Sequence, residues 1–222
     1  MPWMKRLYAP LVGVAMVMFA AAPLLIARAP YEATMGLVQK IFYFHVPSAM
    51  VMFVSAFICG VASAAYLFRG KAAADRLAFA AGELVVVFGL IVLVTGPLWA
   101  RKAWGVWWQW DARLTSTLLM WMIFLAYLLV RRYGGPGAEK LAAAMALFGM
   151  ANVPFVYISV NIWRTLHPTT TVIMTLAPEM RLPFRAAIVA FMLLYGLLLA
   201  ARVAIEERRA TVEHLYLDAD ER

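Results

Sequence analysis

The chain has 222 residues, of which 65% are hydrophobic and only 14% charged, with a mean hydropathy of +0.79. An ordinary soluble domain is about 45–50% apolar and about 25% charged. So much apolar surface does not fit inside one soluble core, which excludes a soluble enzyme, a disordered tail and a collagen-like fibre. The net charge of +8 would suggest nucleic acid in a soluble protein. Here the basic residues lie mainly between apolar runs, where they read as topology signals and lipid contacts. The single cysteine, Cys59, sits inside an apolar run, which excludes an intrachain disulfide and a metal site built on several thiolates.

Six uncharged runs follow one another at residues 7–27, 41–68, 84–100, 114–130, 141–163 and 186–201. A helical crossing needs about 20 residues, so the pattern predicts an all-α, polytopic membrane protein with six transmembrane helices. The first run, preceded by Lys5 and Arg6, is longer than the apolar core of a signal peptide and predicts a retained helix. The second run is too long for one crossing. Pro47 suits the first turn of a helix, so that span is expected to start there, with His45 outside the hydrocarbon. In the fifth span Pro154 predicts a kink, with Asn152 bonding the freed backbone or a neighbouring helix. Glu83, at the start of the third span, reads as solvated.

If the N-terminus is inside, twelve Lys and Arg fall on the inner side and eight on the outer side. The asymmetry predicts that both termini are cytoplasmic. Residues 1–205 then form the membrane domain, and the charged residues 206–222 a cytoplasmic tail. The inner connections are short, and Gly134-Gly135-Pro136-Gly137 marks a tight turn. The outer segments, 28–46, 101–113 and 164–185, are longer, and long connections in a compact protein tend to be functional.

One outer stretch stands apart: Trp104-Gly105-Val106-Trp107-Trp108-Gln109-Trp110-Asp111. It holds four of the eight tryptophans, and Trp99 lies just before it. An interfacial aromatic belt would scatter its indoles over several helix ends. Clustered indoles instead make a flat apolar platform with N–H donors at its edges, suited to a large planar ligand. At helical spacing Trp104, Trp107, Trp108 and Asp111 would share one face.

The chain has three histidines. His214 lies in the charged tail and reads as solvated. His45 and His167 fall at outer ends of spans, on the same membrane face as the tryptophans. Two neutral imidazoles can hold haem iron from opposite sides, whereas zinc would want further ligands that the sequence does not supply. Arg101, Lys102, Arg113 and Arg164 surround this face, either snorkelling to headgroups or pairing with anionic groups such as porphyrin propionates. Asp111 reads as a salt-bridge partner for Arg113 or another nearby cation. No phosphate-binding Gly-Lys-Ser/Thr loop is present.

These motifs carry a resemblance. Thr95-Gly96-Pro97-Leu98-Trp99, followed by Trp104-Gly105-Val106-Trp107-Trp108-Gln109-Trp110-Asp111-Ala112-Arg113-Leu114-Thr115-Ser116, resembles the WWD signature of haem-handling proteins. Phe42-Tyr43-Phe44-His45-Val46-Pro47-Ser48-Ala49 resembles their first histidine motif. Asn152-Val153-Pro154, Ser159-Val160 and Trp163-Arg164-Thr165-Leu166-His167 resemble their second. With six spans, the chain is similar to the cytochrome c maturation protein C group (CcmC, haem exporter protein C). It departs from that pattern at Pro168, where a Gln is expected, and at Arg164, where many relatives carry a second Trp.

The resemblance implies a non-catalytic subunit of the bacterial inner membrane, in cytochrome c-type biogenesis. Such proteins bind haem b transiently at the periplasmic face and deliver it to the haem chaperone CcmE. They do so within a complex containing the ABC transporter subunits CcmA and CcmB and the small subunit CcmD. It implies His45 and His167 as axial iron ligands, and Trp104, Trp107, Trp108, Trp110 and Asp111 as the haem platform. Arg113 and Arg164 would add the cationic contacts. Two other classes stay open on the residues alone: a bis-His membrane cytochrome for electron transfer, and a structural permease subunit.

Overall fold

The computed structural model describes residues 2–33, 35–169 and 173–220, with the side chains of residues 2–5 and 214 left outside. The side chains of Lys5, His214 and Arg222, used above for topology and the tail, therefore lie outside the described residues. Six α-helices follow one another: α1 (Pro2–Arg28), α2 (Phe42–Arg69), α3 (Ala72–Trp104), α4 (Ala112–Tyr133), α5 (Ala138–Ile162) and α6 (Pro178–Asp220). Each contains a segment long and apolar enough to cross a membrane. A helix is the natural form for such segments, because in hydrocarbon every backbone N–H must find its partner within the segment.

The helices outrun the apolar runs that announce them. α3 starts well before residue 84, and α6 continues through the charged residues 206–220. Charged side chains leave a helix's own hydrogen bonds intact, so a change of environment does not end it. In α6 the extension is laced together: Glu206 accepts from Arg202 at 2.8 Å and from Arg209 at 3.2 Å, at helical spacing. α3 ends instead where the backbone turns left-handed, at Gly105 with φ 77°.

The start of the second helix differs from the sequence expectation. A short 3-10 turn, Leu37–Ile41, leads directly into α2 at Phe42. His45 therefore stands in the first turns of α2, and Pro47 lies inside the helix. The proline is tolerated because its ring fixes a helical φ; it withholds a single N–H near the helix start.

Two connections are short, residues 70–71 and 134–137, and three are longer, residues 29–41, 105–111 and 163–177. The main core draws on α2 through α6, with Val51 and Met52 from α2, Phe88 from α3, Met120 and Phe124 from α4, Val156 from α5 and Phe191 from α6. Lipid is as apolar as these side chains, so packing and interhelical hydrogen bonds hold the bundle rather than escape from water. Ser55 Oγ donates to the Ala81 carbonyl at 2.8 Å, Trp121 Nε1 to Val86 at 3.0 Å, and Asn152 Nδ2 to Ser116 at 3.1 Å. Asn152 thus bonds a neighbouring helix, one of its two expected roles.

The end with the short connections carries ion pairs. Arg131 grips Asp75 with two parallel bonds of 2.6 and 2.8 Å, tying α4 to α3. Arg202 donates to Glu83 at 2.6 Å, tying α6 to α3. Glu83 is therefore paired rather than simply solvated. At the opposite end, a second cluster packs Ile26, Phe42, Tyr43, Met180 and Phe184 together. Phe42 stacks on Phe184 with ring centroids 4.8 Å apart. That cluster seats the first turn of α2, and with it His45.

Candidate functional site

Beside this second cluster lies a cleft of about 200 Å³. Its lining comes from every longer connection and from the helix ends next to them: Gln39, His45, Phe53, Trp99, Trp104, Trp108, Arg113 and His167, among apolar neighbours such as Val46, Met52, Val92 and Leu93. His45 and His167, 122 positions apart in the chain, meet in this one cleft.

Each imidazole is held by its Nδ1. His45 Nδ1 lies 2.9 Å from Thr95 Oγ1, while the Thr95 hydroxyl donates to the Ile91 carbonyl at 2.6 Å. The hydroxyl has one proton and spends it on the carbonyl, so it accepts from His45 Nδ1–H. His167 Nδ1 lies 2.8 Å from the Pro168 carbonyl, which can only accept. Both rings therefore carry their proton on Nδ1 and keep the lone pair on Nε2, the atom left for a metal. His167 is also kept neutral: burial and the neighbouring Arg113 guanidinium lower its pKa to about 4, against a smaller upward pull from Pro168 and Asp111.

The WWD stretch divides. Because Gly105 ends α3 and residues 105–111 are not helical, Trp104, Trp107, Trp108 and Asp111 do not share a helical face. Trp104 and Trp108 line the cleft. Trp104 meets Trp99 edge to face at 5.5 Å, and Trp99 Nε1 donates to Gln39 Oε1 at 3.2 Å. Trp108 Nε1 is buried without a hydrogen-bond partner. A buried orphan N–H is costly unless something accepts from it, and here it stands in the cleft wall. Trp107 and Trp110 are 57% and 74% exposed and stand outside the lining. Trp107 lies under the Arg101 guanidinium, 6.0 Å from its ring centroid, and Trp110 packs edge-on against Trp108 at 5.6 Å.

Asp111 does not pair with Arg113. Its Oδ1 accepts the Leu114 N–H at 2.8 Å as the N-cap of α4, and its Oδ2 accepts from the Thr165 hydroxyl. Thr165 Oγ1 in turn accepts the His167 N–H at 3.0 Å. The carboxylate thus caps a helix and fastens the His167 segment through one side chain. A helix N-terminus favours an anion that can accept its free N–H groups, and this satisfies Asp111 without a cation. Arg113 lines the cleft and donates to the carbonyls of Val156 and Tyr157 at 2.7 and 3.2 Å. Arg164 is exposed and lies outside the lining. Sequence reasoning did not single out Gln39, Thr95 as a partner of His45, or Thr165. Each is a lone polar residue whose partner is distant in the chain or tied to local backbone.

Among the described residues no three His, Cys, Asp or Glu side chains are grouped to hold a bare metal ion. Two imidazoles in an apolar, indole-walled cleft suit a metal that brings its own equatorial ligands. Comparison with known proteins agrees with this chemistry. A model of the family "Heme exporter protein C" (CcmC) matches residues 1–216. The chain belongs to the CcmC family. It is 34% identical to heme exporter protein C of Bradyrhizobium diazoefficiens over 86% of this chain and 75% of that protein. Against the Escherichia coli K12 protein of the same name the identity is 34%, over 85% of this chain and 80% of that one. Against that of Paracoccus denitrificans it is 32%, over 81% and 78%. The CcmC family is one of non-catalytic haem-handling membrane proteins, and this chain is a multi-pass member of it.

Proposed function

We propose that this protein binds haem in the cleft, through Nε2 of His45 and of His167, and delivers it to the haem chaperone CcmE during cytochrome c maturation. The observation that carries the reading is that two histidines from distant segments line one cleft, each with Nδ1 within hydrogen-bond distance of an oxygen, Thr95 Oγ1 for His45 and the Pro168 carbonyl for His167. Trp104 and Trp108 supply apolar walls, and the orphan Trp108 N–H suits an acceptor such as a propionate. The cleft, at about 200 Å³, is smaller than the roughly 300 Å³ at the low end of sites that engulf a drug-sized ligand. A porphyrin held there keeps part of itself outside, which fits a cargo to be handed on better than a resident electron carrier. The position of both histidines near span ends, rather than deep in the bilayer, favours delivery over a bis-His cytochrome.

The positive-inside asymmetry supports cytoplasmic termini with the cleft on the opposite face, and the family resemblance supports that face being the periplasmic side of a bacterial inner membrane. The family resemblance supplies the wider setting, a complex with CcmA, CcmB and CcmD. Transfer tests the proposal. Purified protein loaded with haem b is mixed with purified CcmE, and haem on the chaperone is followed by absorbance. The parent should transfer its haem; the double variant His45→Ala/His167→Ala should not. Equal transfer by both proteins would overturn the reading.

A further inference from the structure

We infer that Thr95 is a positioning residue for haem ligation, selecting the His45 tautomer whose Nε2 lone pair is offered to iron. The inference deepens the function proposed above and rests on its assignment of His45.

The argument is one of proton accounting. Thr95 has a single hydroxyl proton, and the Ile91 carbonyl 2.6 Å away can only accept it. The 2.9 Å contact to His45 Nδ1 therefore needs a proton from the ring. An imidazole free in water prefers its proton on Nε2, the nitrogen iron would need. Thr95 reverses that preference, and by accepting from Nδ1–H it also makes Nε2 a stronger donor to a metal. The next residue completes the seat. A Cβ at Gly96 would come within 3.3 Å of His45 Cε1, so the ring packs against bare backbone beside the hydroxyl that orients it. Two neighbouring positions on α3 thus fix both the tautomer and the placement of a side chain on α2.

A threonine bonded to the carbonyl four residues back is also a common way to satisfy a hydroxyl inside a helix. That structural role would stand whether or not His45 was present, so the test must read the imidazole. The full-length protein in detergent is compared as parent, Thr95→Val, Thr95→Ser and His45→Ala, each loaded with haem b. Haem affinity in Thr95→Val should fall about 10–100-fold, the usual effect of losing such an outer partner. The haem reduction potential should move positive, because a less basic imidazole stabilises ferric iron less. Thr95→Ser should match the parent in both.

Parent-like affinity and potential in Thr95→Val would overturn the inference. An unchanged haem spectrum in His45→Ala would overturn the ligand assignment together with this inference. A changed one, with Thr95→Val parent-like, would remove the inference alone. A second measurement needs no haem and no folded valine variant. Nitrogen-15 NMR of histidine-labelled parent protein, with the three histidines assigned by single replacements, should show His45 protonated on Nδ1. Protonation on Nε2 would overturn the inference outright.

Discussion

The two histidines of the cleft are held in different ways. His45 sits in the opening turns of a long helix, above a cluster of packed aromatic rings, and its ring is gripped by Thr95, 50 residues further along the chain. His167 sits in the connection that follows α5, and its ring bonds the carbonyl of its own neighbour, Pro168. What ties the His167 segment to the bundle is one polar relay, His167 N–H to Thr165 to Asp111. One histidine is thus fixed by tertiary packing and the other by local turns and a tether. On the function proposed above, His167, tethered by a single relay, would be the histidine that lets go of haem first.

The comparison can be broken or sharpened by substitution. The largest effect should come from the ligands. His45→Ala and His167→Ala should each abolish six-coordinate low-spin haem, and exogenous imidazole should restore it, as absorbance would record. Next comes the tether. Asp111→Ala removes the cap of α4, costing about 1 kcal/mol of stability, and frees Thr165. Haem should leave this variant faster, and added imidazole should compensate. Thr165→Val should reproduce the faster loss with the cap intact. If neither variant changed the rate of haem transfer to a scavenger protein, the relay would be irrelevant to His167.

The walls rank third. Trp104→Ala and Trp108→Ala each remove a half-buried indole from the cleft wall, whose contact with bound haem would be worth about 1–3 kcal/mol, or about 5–150-fold in affinity. Low-spin coordination should persist in the haem that remains. The smallest effect belongs to the exposed pair: Trp107→Ala and Trp110→Ala should bind haem within about twofold of the parent. Equal losses from all four tryptophans in a haem titration would mean that the stretch acts as one platform, against the division into inward and outward rings.

Much of this was legible in the sequence, for physical reasons. Six apolar runs without charge admit few structures other than six spanning helices, and their order was read directly. Helix ends were less legible. Residues 72–83 and 206–220 contain charges that end the apolar runs; the alanines of 72–83 favour helix, but how far each helix continues depends on backbone bonds and pairs such as Arg202–Glu206. His45 and His167 were found because imidazoles are rare in this chain and both fell at span ends. Thr95, Gln39 and Thr165 were not, since a single polar residue has no periodic signature and its partner stands on another element. The sorting of the tryptophans turned on Gly105, whose left-handed backbone ends the helix that would have aligned them. Asp111, read as a salt-bridge partner, proved to be a helix cap whose second oxygen holds the His167 segment.

The central claim is that one haem iron binds both histidines. Low-temperature electron paramagnetic resonance of the ferric, haem-loaded parent tests it most directly, set beside the double variant His45→Ala/His167→Ala. The account predicts a low-spin bis-imidazole signal in the parent and its absence from the double variant. The same low-spin signal in both proteins would contradict it.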